Sequence, residues 1–388
     1  MTVRPSAASK IGDIAAGAGI HHVHVLAWRD LDDVEAGGSE IHAAEVCREW
    51  AQAGLRVTCR TSFAQGHPPD VERDGYSVER RAGRYLVFPR AAASAIAGHQ
   101  GRFDALVEIW NGMPFFTPLW TRSPRLTFLH HVHGPMWHMV LPDHLARLGV
   151  TMERHIAPLL YRRSQVVTLS ESSRRELVAD LGLRRERVAV VQPGVDPRFT
   201  PGQGEAPVPT VLSVGRLVPA KRFDELVRAV ADARRRVPDL RLVIVGEGYE
   251  RRIVERAVAE VSGEEWVDLA GRCDDDELVR HYRSAWMLVS ASAHEGWGMS
   301  ITEAAACRTP SVVTDIAGHR DAVVDGVTGL VVPSPAALAP AIVDLVTDDA
   351  RRARLGVAAR ERAERLTWER TATELMRLLA AQAQRRRP

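Results

Sequence analysis

The chemistry in this 388-residue chain gathers in short loops that each follow a run rich in Val, Leu and Ile. The richest reads Ser292-Ala-His294-Glu295-Gly296-Trp297-Gly298-Met299-Ser300-Ile301-Thr302-Glu303. Glycines at 296 and 298 let backbone approach a ligand closely, and helical patterning begins just after them. The first amides of that helix, at Met299, Ser300 and Ile301, have no intrahelical partner and form an anion site. Glu295 lies before the helix and Glu303 inside it, so a carboxylate flanks that site on either side. A second loop, Ser213-Val214-Gly215-Arg216-Leu217-Val218-Pro219-Ala220-Lys221-Arg222, carries Arg216 and Lys221, two cations suited to a diphosphate. Each close pair of charges is worth ~4 kcal/mol at an effective dielectric near ~20, before desolvation is subtracted. Arg222 is expected to face solvent.

The first half of the chain has loops of the same kind. Ala36-Gly37-Gly38-Ser39-Glu40-Ile41-His42 offers Gly37 and Gly38 to a phosphate, or is a tight turn with Ser39 as the helix cap. Phe128-Leu129-His130-His131-Val132-His133-Gly134 leaves a strand with three imidazoles, each able to bond a hydroxyl. A zinc site needs three or four convergent ligands, and no cysteine or carboxylate stands close by, so no metal is expected. The cluster His21-His22-Val23-His24 reads as strand packing plus surface. Glu108-Ile109-Trp110-Asn111-Gly112 makes Trp110 and Asn111 candidates for contact with a second substrate. Gly246 in Val245-Gly246-Glu247-Gly248, and the pair Gly271-Arg272, also end strand-like runs. Asp30-Leu31-Asp32 and Asp274-Asp275-Asp276 resemble D-x-D metal motifs. Both read as structural, the second as cap and dipole partners of a helix over 277–284.

Elements that could hold such loops alternate along the chain. Strands are predicted at 22–28, 55–61, 104–110, 126–131, 165–170 and 187–192, then at 210–214, 240–245, 267–270, 286–290 and 311–314. Helical periodicity falls between them, at 40–53, 172–181, 223–237 and 250–261. Strands apolar on both faces and separated by helices imply parallel sheets covered on both sides. The segment 192–209 holds five prolines and no periodicity, which marks a break between two α/β, Rossmann-like doubly wound domains facing a cleft. The expected division is a flexible tail at 1–20, a first domain at 21–198, a linker at 199–209 and a second domain at 210–368. A final helix at about 369–388 returns to the first domain. Ligands in such sheets bind outside the carboxyl ends of the strands.

Bulk properties narrow the partners. A formal net charge of +2 is too small for nucleic acid to be the main partner. No run approaches the ~18–20 apolar residues of a membrane span, which leaves only peripheral membrane contact open. The first twenty residues lack the apolar core of a signal peptide. Cys47, Cys59, Cys273 and Cys307 are scattered, as reduced thiols in a cytoplasmic protein would be, free or at the inner membrane face.

The segment from Glu295 to Glu303 resembles the E-x7-E motif of family 4 glycosyltransferases, which have the GT-B fold. Gly215-Arg216-Leu217…Lys221 is similar to that family's diphosphate-binding loop, and Gly37-Gly38-Ser39-Glu40 to its G-G-x-E loop. The resemblance runs from about His22 onward and takes in Gln192-Pro193-Gly194-Val195-Asp196 and Leu366-Thr367-Trp368-Glu369. Arg308 departs from a common glycine, and Ser300-Ile301 from an apolar pair. It implies a retaining enzyme that moves a hexosyl unit from a UDP- or GDP-sugar to a hydroxyl acceptor, without cofactor or metal. Glu295 would touch the donor sugar, Glu303 the ribose, Arg216 and Lys221 the diphosphate. Gly246, Gly271, Arg272 and Gly298 would line the nucleotide, and Gly37 and Gly38 the phosphates from the other domain. The family has one histidine where this chain has three. His130 is the first choice, His131 the second, and His133 stays open on the acceptor side with Trp110 and Asn111. An epimerase or phosphorylase on the same fold, or a silent homologue, is the rival reading.

Overall fold

The computed structural model describes residues 7–385 apart from 100, 135 and 203. It divides into two compact units, one of residues up to Gly194 together with Trp368 onward, the other Val195–Thr367.

The first unit is built on β1 (His22–Leu26), β2 (Arg56–Thr61), β3 (Asp70–Arg73), β4 (Tyr76–Arg80), β5 (Ala105–Ile109), β6 (Arg125–Phe128), β7 (Gln165–Thr168) and β8 (Val188–Val190). Their order is β3-β4-β2-β1-β5-β6-β7-β8, parallel throughout except for the β3–β4 hairpin. That hairpin was not among the predicted strands. Its turn is Asp74-Gly75, both with positive φ (49° and 87°), the geometry that Asp-Gly favours between twisted strands. Tyr76, Val78 and Arg80 are buried while Ser77 and Glu79 are half-buried, a period of two that the short strands carry faintly.

Helices Ala7–Gly17, Gly38–Gln52 and Trp368–Gln384 join the core of this unit, with Ile11, Ala15, Trp50, Leu375, Met376 and Leu379 buried together. The Trp50 indole N–H donates to the Ala372 carbonyl at 3.0 Å, which satisfies the one polar atom of a large buried side chain. The expected loose tail at 1–20 is therefore corrected: residues 1–6 lie outside the described ones, but Ala7–Gly17 is a helix whose Ile11 and Ala15 need burial. The last part of the expected returning helix, 386–388, also lies outside them.

The second unit holds β9 (Thr210–Val214), β10 (Arg241–Val245), β11 (Val267–Gly271), β12 (Met287–Ser290), β13 (Ser311–Thr314) and β14 (Gly329–Val332). The order is β11-β10-β9-β12-β13-β14, and every pairing is parallel. Strand β14 was not predicted. The backbone of Gly329 lies so close to the Ser311 carbonyl that a Cβ would collide with it. The expected linker also needs correction. Ala206 N–H donates to Ser284 O at 2.8 Å, Trp286 Nε1 donates to Ala206 O at 2.8 Å, and Arg352 clamps Glu205 through two bonds of 2.9 Å. Proline denies this segment a regular element, but its polar groups are tied into the second unit.

Each sheet turns back on itself once. In the second unit the chain winds outward from β9 through β10 to β11, then resumes beside β9 at β12. The carboxyl ends of β9 and β12 thus flank the switch point where ligands of such sheets bind. In the first unit the corresponding place is between β1 and β5. Among the described residues no helix is long and apolar enough to cross a membrane.

Candidate functional site

In the second unit the two richest loops meet at the switch point. The loop after β9 carries a short turn, Pro219–Lys221, and the loop after β12 carries Glu295. Ala293 N–H donates to Ala220 O at 2.8 Å, binding the loops backbone to backbone. Beside that bond Lys221 Nζ donates to Glu295 Oε1, and the Ser292 hydroxyl donates to the same oxygen at 3.0 Å. Burial would push the Glu295 carboxyl up, but Lys221, then His319, then Ser292 hold it below the usual carboxylate range. A part-buried lysine and an ionised glutamate are therefore poised together where an anionic ligand would arrive.

His319 was not singled out from the sequence. It follows β13 on a tight turn at Gly318, whose φ is +78°. A Cβ on Gly318 would stand 2.5 Å from the Glu295 carbonyl oxygen, so only glycine lets this turn lie against the Glu295 loop. The His319 Nδ1 lies 2.8 Å from the Thr314 carbonyl, which fixes Nδ1 as the protonated nitrogen. Burial lowers its pKa, against the pull of Glu295, so the imidazole is neutral at pH 7. A strand followed by Ala317-Gly318-His319 was the signal available in the sequence.

Glu303 sits on the helix Met299–Ala306 and accepts a bond of 2.6 Å from the Tyr282 hydroxyl. Burial raises its pKa and the tyrosine bond opposes that rise. Gly298 caps this helix with a φ of +98°. The open end of the helix is narrower than expected, because Ile301 N–H already donates to Gly298 O at 3.0 Å. Met299 and Ser300 are left as the outward amides.

Close backbone packing explains the other glycines. A Cβ on Gly246 would collide with the Gly215 carbonyl, and Gly246 N–H donates to Gly271 O at 2.7 Å. Gly271 itself has φ +71° beside the Glu247 carboxylate. The ends of β9, β10 and β11 are thus sewn together beneath the loop that bears Lys221. Arg216 and Arg272 are exposed at the ends of β9 and β11. Arg222, expected to face solvent, keeps 40% of its side chain exposed; it has φ 50° at the start of the helix Phe223–Arg234 and an ion pair to Glu225 at 3.4 Å.

The candidates of the first unit form their own linked set. Gly37 caps the helix Gly38–Gln52, and the Glu40 carboxylate reaches back to the Gly37 N–H at 2.8 Å. Ser39 is therefore not the cap; its hydroxyl accepts from Asn111 Nδ2 at 3.2 Å. One turn on, His42 Nδ1 meets His130 Nε2 at 3.0 Å. Burial, with His133 adding to it, pulls the His130 imidazole down to about 4, and burial pulls His42 far down as well. Both rings are neutral at pH 7.

His131 and His133 stack with ring centroids 4.7 Å apart. His133 belongs to a frame around Glu153, a buried carboxylate on the π-type turn Met152–Ile156. Glu153 accepts from His133 N at 2.8 Å, Gly134 N at 2.9 Å and Trp137 Nε1 at 3.1 Å. Nothing near it in sequence announced that role. Trp110 is corrected: its ring is buried against Tyr161 and its N–H donates to Gly112 O at 2.8 Å, so it is core and not a contact surface.

In the two D-x-D look-alikes, Asp30, Asp32 and Asp274 are engaged by the protein itself. Arg80 bonds Asp30 through Nε (3.0 Å) and Nη2 (2.6 Å) and also pairs with Asp32, which Arg73 meets at 2.7 Å. Asp274 caps the helix Asp275–Ser284 by accepting from Glu277 N at 2.8 Å.

Comparison with known proteins finds similar sequences over most of the chain. The pattern of Glycosyl transferases group 1 matches residues 202–362, and that of Glycosyltransferase Family 4 matches residues 36–199. A D-inositol 3-phosphate glycosyltransferase of Kineococcus radiotolerans is 30% identical, over 87% of this chain and 89% of that one. A GDP-mannose-dependent alpha-(1-6)-phosphatidylinositol monomannoside mannosyltransferase of Mycolicibacterium smegmatis is 28% identical, over 83% and 89% respectively. Among solved structures, a sucrose-phosphate synthase from Thermosynechococcus elongatus superposes with a TM-score of 0.79 at 22% identity, covering 92% of this chain and 97% of that one. The shared fold is GT-B.

Proposed function

The chain belongs to glycosyltransferase family 4, the group 1 glycosyl transferases, and from that premise we propose that it transfers a hexosyl unit from a UDP- or GDP-sugar to a hydroxyl acceptor with retention of anomeric configuration. The observation that carries this reading is the Lys221–Glu295 pair at the switch point of the second unit.

When a donor arrives, Lys221 exchanges Glu295 for the diphosphate. Glu295, kept ionised, then accepts hydrogen bonds from sugar hydroxyls. Arg216, Lys221 and the amides of Met299 and Ser300 meet the charge that grows on the departing diphosphate, and such preorganised donors are worth several kcal/mol in a transition state. Glu303, held by Tyr282, takes the ribose hydroxyls. Backbone at Gly246 and Gly271, with Arg272, approaches the base. Neutral His130 bonds a sugar hydroxyl, and Gly37 and Gly38 offer amides to the phosphates. Asn111, His131 and His133 border the acceptor. Arg216, Lys221 and the helix amides already offer positive charge to the diphosphate, so a divalent cation is not electrostatically required. Four unpaired thiols support a cytoplasmic setting.

A thermal-shift screen against UDP, GDP and their sugars tests the donor. A bound donor at ~100 Kd adds ~2.7 kcal/mol of stability. One base should shift the transition and the other should not, and no shift with either would overturn the reading. The relatives' names put inositol phosphates and phosphatidylinositol glycosides first among acceptors to try.

A further inference from the structure

On the transferase reading Lys221 leaves Glu295 for the donor diphosphate, and Glu295 must then keep its place for the sugar. The bonds that Glu295 receives from Lys221 and from Ser292 (3.0 Å) both end on Oε1. Once Lys221 has moved, the Ser292 hydroxyl is the one of the two that remains. Whatever fixes Ser292 therefore fixes the carboxylate.

Ser292 is buried, and its tethers come from the ends of β12 and β13. The Thr314 hydroxyl donates to the Ser292 carbonyl at 2.7 Å. The Ser290 hydroxyl stands 3.0 Å from the Ser292 hydroxyl. Ser292 spends its one hydroxyl proton on Glu295, so Ser290 is the donor of that contact. Behind Ser290 stands His319, with Nε2 3.4 Å from the same hydroxyl. Its Nδ1 is committed to the Thr314 carbonyl, so Nε2 carries a lone pair and accepts. Ser290 is thus held between two acceptors, Nε2 and Ser292 Oγ, while its own oxygen faces the Ser292 N–H at 3.5 Å. The His319 ring also lies beside the start of the helix Met299–Ala306, where a Cβ on Gly298 would stand 3.7 Å from ring Cδ2. At 1% exposure His319 is too deep to meet a substrate itself.

We propose that His319 is a positioning residue: through Ser290 and Ser292 it holds Glu295 in place for the donor sugar once Lys221 has moved to the diphosphate. Its loss is then felt in the sugar and not in the nucleotide. The inference rests on the transferase reading, and Glu295→Gln tells the two failures apart.

The test compares His319→Asn, His319→Gln and Ser290→Ala with the wild type, by transfer kinetics and by calorimetry with UDP, GDP and the corresponding nucleotide hexoses. An asparagine amide can keep the bond to the Thr314 carbonyl but does not reach Ser290. A glutamine can place an acceptor where Nε2 was and gives up the Thr314 bond. His319→Asn and Ser290→Ala should each lower kcat and weaken sugar-donor binding about 3- to 10-fold, the net scale of one hydrogen bond, with nucleoside diphosphate binding unchanged. His319→Gln should restore transfer while lowering thermal stability. A purely structural histidine would give the reverse order, asparagine nearer to wild type than glutamine, and that result would overturn the proposal. So would equal losses of nucleoside diphosphate and sugar-donor binding. Should His319→Asn fail to fold by circular dichroism, Ser290→Ala decides alone, because it keeps His319 and its bond to Thr314. Transfer lost in Glu295→Gln but unaltered in the His319 and Ser290 variants would sink this inference and leave the transferase reading standing. No transfer by the wild-type chain would sink both.

Discussion

Lys221 and Glu295 are 74 residues apart in sequence and form one ion pair, on loops already joined by the Ala293–Ala220 backbone bond. The pair is preformed, so a diphosphate has a lysine in place before it binds.

Lys221→Ala should lower turnover about 100-fold or more, the scale of losing one transition-state donor, and weaken donor binding. Because Glu295 then stands buried without its main partner, adding Glu295→Gln should cost less than the sum of the two single changes. Calorimetry and steady-state kinetics measure both effects. Unchanged affinity and rate in a folded Lys221→Ala protein would remove the role.

The two glutamates should separate by ligand. Glu295→Gln should impair transfer and sugar-donor binding while the nucleoside diphosphate binds as before. Glu303→Ala should weaken the nucleoside diphosphate itself. Tyr282→Phe deletes one hydrogen bond to that carboxylate and should weaken the same ligand about 3- to 10-fold, the net scale of one ordinary hydrogen bond. Equal effects of both glutamate variants on both ligands would contradict the division.

His130→Ala should impair transfer and leave nucleoside diphosphate binding intact, since the histidine belongs to the first unit. His131→Ala is the control. Activity lost in His131→Ala and kept in His130→Ala would move the role one residue along the loop.

His130 also sets a pH dependence. Its folded-state pKa of about 4 lies below the ordinary 6.5, so below about pH 6.5 the unfolded chain takes up a proton that the folded chain refuses. Stability should therefore fall as pH drops from 6.5 towards 4 and level off below. By pH 5 this one group accounts for about 2 kcal/mol. Chemical denaturation of the wild type and His130→Gln at about pH 7.5 and 5 isolates that share, and equal losses in both proteins would count against it. Glu295, depressed instead, contributes stability above the ordinary carboxylate range and loses it as pH falls through its lowered value.

The double winding of both units was legible because β1, β5, β9 and β12 are short runs rich in Val, Leu and Ile with helices between. The loops with Lys221 and Glu295 were legible because they follow such runs. What escaped notice depends on distant contacts. Ile11 and Ala15 make a helix of the N-terminal segment only by packing with the last helix. Glu153 holds His133, Gly134 and Trp137 from 16 to 20 residues further along the chain. His319 reaches the Glu295 loop because Gly318 permits the approach, and Trp110 looked like a surface aromatic until Tyr161 covered it.

The transfer reaction itself is tested most directly by EDTA-treated enzyme, a nucleoside-diphosphate hexose and an acceptor, with the product's anomeric proton followed by NMR. On the proposed reading Arg216, Lys221 and the amides at Met299 and Ser300 meet the diphosphate's charge, so the glycoside should form without divalent cation, only when acceptor is present, and with the donor's anomeric configuration. Donor converted equally well without acceptor would point to an epimerase. Activity abolished by chelation and restored by Mg²⁺ or Mn²⁺, or an inverted product, would contradict the mechanism.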